Sequence, residues 1–356
     1  MSMKEKKLRI RVKHSHPGIF LMLRTMKRIM NGDALYIKNV LRFGDDPDNE
    51  YIVIKHNGNR DYKKIIYVIE ENSNREGFCA TLRFVIGYLI YAGEHGFAPV
   101  ICMTENFAYY DEEMSREISN PWEYYFVVSK ENYDESKAMH VCYSEYHHMM
   151  TIKEYSKLNA YLTENYYDES LFQVCSPIIN KYLVLKPDIV SEATELLART
   201  KAGGGMVLGI HFRGTDFKQG YNEHPVRVDE EQIVEGMLDA MKTVKFAAVF
   251  LATDDASVYD RIKEAIGDTE LLQYTGVYRS DGDKSVAFSE DERPCHHYML
   301  GYEIARDMYT LSICDGLVAG KSSVSFLSNL YKHSRDEKYE YLHIIDNGNN
   351  RNDKTV

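Results

Sequence analysis

Met206-Val-Leu-Gly-Ile-His-Phe-Arg-Gly-Thr-Asp216 is the stretch whose reading decides the fold. Its apolar run, rich in Val, Leu and Ile, has strand length, and the Gly-Thr-Asp behind it is turn chemistry. Arg213 therefore stands at the carboxyl end of a strand. In an open parallel sheet ligands bind in the crevice outside those ends, so a cation there is placed to hold phosphate or carboxylate.

Downstream the pattern is regular. After a long loop the spacing predicts a helix over 229 to 242, opened by Asp229 and Gln232 at capping-box spacing. A strand over 246 to 252, the loop Thr253-Asp254-Asp255, a helix over 256 to 266, a strand over 271 to 275 and a charged loop through Pro294 come next. A helix from 295 to about 313, a strand over 316 to 319, the loop Gly320-Lys-Ser-Ser323 and a helix to His333 complete the series. Strands alternating with helices predict a parallel, doubly wound sheet.

Upstream, residues 51 to 55 and 65 to 70 read as strands, with Asn57-Gly58 as the turn signal between them. The polar loop NSNREGF, a helix over 79 to 96 that is apolar nearly all round, and a strand over 99 to 104 then make one βαβ unit. Arg75, Glu76 and Gly77 in that loop either face a cleft or are solvated turn residues. The segment 106 to 180 is rich in Tyr and His. Its Asn120-Pro-Trp-Glu-Tyr-Tyr-Phe126 reads as core, with stacking on sugar faces as the alternative. His147-His148 lacks a second ligand pair at metal spacing and reads as structural. A strand-like 181 to 187 gives way to an acidic helix over 188 to 200 and to Gly203-Gly-Gly205, a domain boundary. Two α/β domains are expected, 1–187 and 188–356, the C-terminal tail packing back on the first.

A net charge of -11 argues against nucleic acid as a partner, because polyphosphate binding rests on cationic surface. The balance is uneven: residues 1 to 42 hold eleven Lys/Arg against only Glu5 and Asp33. Within that stretch Phe20, Leu23, Met26, Ile29 and Met30 recur at helical spacing beside Arg24, Lys27 and Arg28. A surface helix is the plain reading, and a peripheral contact with anionic membrane is the functional one. Six cysteines lie far apart with no C-x-x-C pair, which predicts buried thiols in a reducing compartment. The opening MSMKEKKLRIRVKHSH is too charged for the apolar part of a signal peptide, and no apolar run reaches the ~18 residues of a membrane span, so a cytoplasmic location is expected.

Three predicted strands end in polar groups, Arg213 with Asp216, Asp254 with Asp255, and Ser322 with Ser323, and the carboxyl-end rule opens all three loops on one crevice. The serines also open a helix, where backbone N–H groups and the dipole favour an anion. A cation beside a helix N-terminus suits a diphosphate, and paired acids accept from ribose hydroxyls or base N–H groups. A dinucleotide fingerprint is excluded because Gly203-Gly-Gly205 precedes the strand, and Lys321 lacks the loop of a Walker lysine. Asp281-Gly-Asp283 lies in a hydrophilic loop with no strand before it, so no metal is expected.

These motifs, VLGIHFRGTD over 207–216, VFLATDD over 249–255 and DMYTLSICDGLVAGKSS over 307–323, resemble the three motifs of the α1,6- and protein-O-fucosyltransferase superfamily, which includes the nodulation fucosyltransferases. The 77–101 region looks like that family's opening βα unit, with NSNREGF in place of its glycine-rich loop. The resemblance implies a GT-B architecture, two Rossmann-like domains facing across a cleft, with GDP-fucose as donor in the second and no metal or other cofactor. It puts Arg213 on the β-phosphate, His211 and Asp307 on guanine, Asp254 and Asp255 near the nucleoside, and Ser322 and Ser323 on the phosphate side. The second arginine of the α1,6 enzymes is Gly214 here, and their lysine after the Thr-Asp pair is Phe217, with Lys218 next.

Inverting sugar transfer needs a base for the acceptor hydroxyl and positive charge for the departing diphosphate. Arg213 is expected in the second role. Glu223 and Asp216 are the candidate bases; Tyr221 holds the place of the family's glutamate, so Glu223 requires a two-residue shift. The chain is thus expected to be a metal-independent, inverting fucosyltransferase acting on a saccharide hydroxyl. A transferase using another nucleotide sugar, or a non-catalytic nucleotide-sugar-binding protein, is the alternative. Charge and cytoplasmic location together suit a lipid-linked saccharide acceptor, as in polysaccharide biosynthesis.

Overall fold

Two sheets with a shared layer of helices between them carry the fold. The computed structural model describes residues 54–56, 62–70, 76–128, 138–144, 169–214, 224–255, 257–279 and 289–350, together with the helical positions 19, 22, 23, 26, 27 and 30. The first sheet has the order β1-β4-β2-β3, from β1 (Ile54–His56), β2 (Tyr62–Ile69), β3 (Ala98–Ile101) and β4 (Ala138–Tyr143). β2 is parallel to β3 and β4, and α1 (Phe78–Glu94) links β2 to β3 as the expected βαβ unit. β1 and β2 do not form the hairpin that Asn57-Gly58 suggests. β4 lies between them, antiparallel to β1 and parallel to β2.

The second sheet is wholly parallel, in the order β7-β6-β5-β8-β9. It comprises β5 (Met206–Phe212), β6 (Phe246–Thr253), β7 (Glu270–Leu272), β8 (Gly316–Gly320) and β9 (Tyr341–Ile345). β5 is its centre. Counted from β5 the chain first winds outward through β6 and β7, then returns to the opposite side through β8 and β9. The order reverses between β5 and β8, and such a switch point opens a crevice at the strands' carboxyl ends.

Period-two alternation explains why β5 is buried on both faces. Leu208, Ile210 and Phe212 pack with Ile233 and Met237 of α5 (Glu230–Thr243) and Val258 and Ile262 of α6 (Val258–Ala265). Val207 faces the other way, into a core with Met308 and Leu311 of α7 (His296–Ile313) and Phe326 and Leu330 of α8 (Ser323–His333). The capping box of α5 forms as its spacing predicts: Gln232 N donates to Asp229 Oδ1 at 2.8 Å and Asp229 N to Gln232 Oε1 at 3.1 Å.

The core containing Val207 also takes in Phe78, Leu82 and Val85 of α1, so both sheets share one apolar interior. α3 (Glu169–Tyr182), with Pro177 inside it, and α4 (Pro187–Ala202) complete this layer, after the short α2 (Glu112–Ser115). The strand-like 181–187 is not a strand: α3 runs to Tyr182, and Leu185 makes a single antiparallel bridge with Phe126. Trp122 is buried and stacks on Phe126 at 4.0 Å, which places the aromatic cluster in the core and not on a sugar. β9 holds the described part of the C-terminal tail on the second sheet, and Val226 N donates to Gly348 O beyond it. All six cysteines are free thiols; Cys79, Cys142, Cys175 and Cys314 are buried, whereas Cys102 and Cys295 are partly exposed. Among the described residues no helix is long and apolar enough to cross a membrane.

Candidate functional site

The carboxyl ends of β5 and β8 meet at the switch point, and a small pocket there is lined by His211, Arg213, Val226, Gly320, Lys321 and Ser322. β5 delivers His211 and Arg213 from its odd-numbered face, the face that looks toward α1 and α8. His211 is buried, and its Nδ1 lies 3.4 Å from Ser322 Oγ. Burial, reinforced by the Arg213 guanidinium, lowers its pKa to about 3. The imidazole is therefore neutral at physiological pH, and it offers one donor and one acceptor instead of a charge.

Ser322 is the N-cap of α8, where its Oγ accepts from Ser325 N at 3.2 Å. Ser323 is the first residue of that helix. Its Oγ accepts a 2.9 Å bond from Nη1 of Arg83, a buried side chain on α1. Arg213, Ser322 and Ser323 are thus gathered at one helix N-terminus, the arrangement that binds anions. Lys321 beside them is buried and paired with Asp346 at 2.5 Å, which ties the segment after β9 to the rim of the pocket.

Asp254 and Asp255 end β6 and reach the same edge. Asp254 Oδ1 accepts from Gly214 N at 2.8 Å, so it fixes the backbone next to Arg213. Asp255 Oδ1 accepts from Ser257 N at 2.9 Å, just before α6. Its carboxylate also fills the space where a side chain at 214 would begin: a Cβ on Gly214 would overlap it. The close approach explains why this chain has glycine and no second arginine after Arg213.

Asp307 lies on α7, one turn before Leu311, and is half-buried. Burial raises its pKa to about 7; Arg306 and Arg279 oppose the rise and Glu303 adds to it. Nearby Tyr274, just after β7, is bonded to Thr310 at 2.8 Å and lies under the Arg306 guanidinium, 3.6 Å from its ring centroid. Arg306 is fixed in turn by Glu192 of α4 at 2.6 Å. A polarisable ring, a guanidinium and a carboxyl of adjustable charge are suitable surroundings for a purine edge.

Asp216 and Glu223, the two candidate bases, lie outside the described residues, as do Lys218, Arg75, His147-His148 and Asp281-Gly-Asp283. Among the described residues one trio, Asp111, Glu113 and Cys295, holds ligand-type atoms within 4.8 Å of one another. Its members are already engaged: Asp111 caps α2, and Cys295 Sγ donates to Glu113 Oε2 at 3.2 Å. Burial and the acids beside it raise that thiol to about 11, so it stays protonated. Arg83 escapes sequence reasoning. Its one visible signal is a cation inside an otherwise apolar helix.

No protein-family model and no curated protein matches the chain. Among solved structures it is similar to the NodZ α1,6-fucosyltransferase soaked with GDP-fucose, at 14% identity over 75% of this chain and 92% of that one, TM-score 0.46. It is also similar to POFUT1 in complex with GDP-fucose, at 10% identity over 80% of this chain and 98% of that one, TM-score 0.43.

Proposed function

We propose that the protein is a glycosyltransferase that moves fucose from GDP-fucose to a saccharide hydroxyl with inversion and without a metal. The observation that carries this reading is the convergence of Arg213, His211 and the serine-capped N-terminus of α8 at the switch point between β5 and β8. The motifs' resemblance to fucosyltransferases directs the choice of donor. In this reading the halves 1–187 and 188–356 are two Rossmann-like domains facing across a cleft, the second holding the donor.

The acceptor oxygen attacks the anomeric carbon as the bond from that carbon to the diphosphate oxygen breaks. The hydroxyl proton passes to a carboxylate, Glu223 or Asp216. The charge left on the diphosphate is met by Arg213, by Ser322 and Ser323, and by the N–H groups that open α8, which together take the part a metal plays elsewhere. Neutral His211 and Asp307 read guanine, and Asp254 and Asp255 serve the nucleoside side through the loop they fix.

Arg213→Ala is expected to lower kcat by about a hundredfold or more while the fold survives, since a site cation is lost and not core volume. Near-native turnover in that variant would remove Arg213 from the mechanism. A thermal-shift screen of GDP, UDP, CDP and ADP sugars tests the donor, because a ligand bound only by the folded state raises its stability. Stabilisation by another sugar nucleotide alone would change the donor. Tight binding with no turnover on any glycan would make the protein a binding module.

The reading extends to location. Ile19, Met22, Leu23, Met26 and Met30 are helical and exposed, between 50% and 84%, within a stretch carrying eleven Lys/Arg. An exposed apolar stripe in a basic segment suits the cytoplasmic face of an anionic membrane, where a lipid-linked saccharide would be presented. Flotation with anionic vesicles should be lost when residues 1–42 are removed; flotation that persists without them would rule the contact out.

A further inference from the structure

We propose that Lys321 is a second cation of the diphosphate pocket and that Asp346 is the residue that positions it, a role that rests on the donor reading above. Lys321 lines the same pocket as His211 and Arg213.

Strand register puts four charged residues in one row at the carboxyl edge of the second sheet. Phe212 pairs with Thr253, His211 with Ala319 and Gly320 with Ile345. One or two residues further on, the same register sets Asp254, Arg213, Lys321 and Asp346 side by side, in the strand order β6-β5-β8-β9. The two cations follow β5 and β8, the strands between which the order reverses and the crevice opens. The two acids flank them: Asp346 is ion-paired with Lys321, and Asp254 accepts from Gly214 N.

Burial distinguishes the members of the Lys321–Asp346 pair. The Lys321 side chain is 8% exposed and that of Asp346 47%. Water screens a half-exposed carboxylate, whereas the field of a buried ammonium carries through a low dielectric, so Lys321 attracts an anion in the pocket more strongly than its partner repels it. Asp346 is itself anchored to the pocket wall: its Oδ1 accepts from Gly348 N at 2.9 Å, and Gly348 O accepts at 2.8 Å from the N–H of Val226, a lining residue. Burial acts against its ionisation, yet the bonds from Lys321 and Gly348 lower its pKa, so the carboxylate stays charged and holds the ammonium in place. Lys321 also directly precedes Ser322, the N-cap of α8, so the ammonium and the positive end of that helix favour the same phosphate.

The test compares affinities for GDP, guanosine and pyrophosphate. Native protein that takes pyrophosphate but not GDP would remove the nucleotide reading and leave the anion site; binding of neither would remove both. Given native binding of GDP, Lys321→Met keeps the buried stem and removes the charge, and it is expected to weaken GDP and pyrophosphate roughly tenfold or more while guanosine affinity stays level. Lys321→Gln stands in should the methionine variant not fold. Asp346→Asn keeps an oxygen for Lys321 and Gly348 N but drops the opposing charge, so it is expected to strengthen GDP a few-fold relative to guanosine. A preference for GDP over guanosine unchanged in the neutral Lys321 variants, with a lower melting temperature, would make Lys321 a strut between β8 and β9 and overturn the proposal. A preference lowered by Asp346→Asn as it is by Lys321→Met would overturn it too, since the intact ion pair and not the ammonium would then shape the pocket.

Discussion

If Asp307 reads guanine as proposed, its ionisation decides whether the purine edge is held. A carboxylate accepts from guanine N–H donors; a neutral carboxyl does so poorly. Because burial raises this group to about 7, native protein keeps a proton that unfolded chain has released above the ordinary value of 3.8. Stability tied to Asp307 is therefore fully present below the unfolded value and lost as pH rises toward 7. Donor affinity runs the opposite way, growing as the carboxylate forms. GDP affinity in native protein should fall on going from about pH 8 to about pH 6, whereas Asp307→Asn should bind more weakly with a flatter profile, and the same variant should gain stability relative to native most at the higher pH. Titration calorimetry across that range checks the first statement and melting curves the second; a flat native profile would remove Asp307 from base recognition. His211 contributes nothing to this profile, since its pKa of about 3 lies outside the range.

At the scale of elements, legibility followed periodicity. β5 reads plainly because both faces are apolar and a cation ends it abruptly. β9 is not legible in the sequence: its five residues are half-buried or exposed, so Tyr341–Ile345 shows no strong alternation, and only pairing with β8 makes it a strand. α3 was hidden by Pro177, which breaks the usual helix pattern, although Leu171, Phe172, Cys175 and Ile179 share a buried face. The turn after β5 depends on contacts that its sequence does not announce. Gly214→Ala should cost about 1–3 kcal/mol by forcing the new methyl into the Asp255 carboxylate, and it should weaken GDP binding by shifting Arg213. Chemical denaturation and GDP titration measure both; native values for both would show that the turn absorbs the methyl.

The whole molecule is joined through one core that runs from α1 across α3, α4, α7 and α8 to the second sheet. Tyr125 of the first half reaches Gly301 of α7 so closely that a Cβ there would overlap its ring and hydroxyl, and its Oη donates to Tyr298 O at 3.0 Å. With their apolar surface shared, the two halves should unfold together. Calorimetry is expected to give one transition, and two well-separated transitions would show that the shared core does not couple them. By itself the sequence determined the alternation of β and α, the strand on which Arg213 sits and the capping of its neighbours, since these depend on local periodicity and turn chemistry. Tertiary structure alone decided that β4 inserts between β1 and β2, that β9 closes the second sheet, and that Arg83 stands beside Ser323. Those outcomes arise from pairings between residues far apart in the chain, and no local pattern encodes which distant surface a buried side chain will meet.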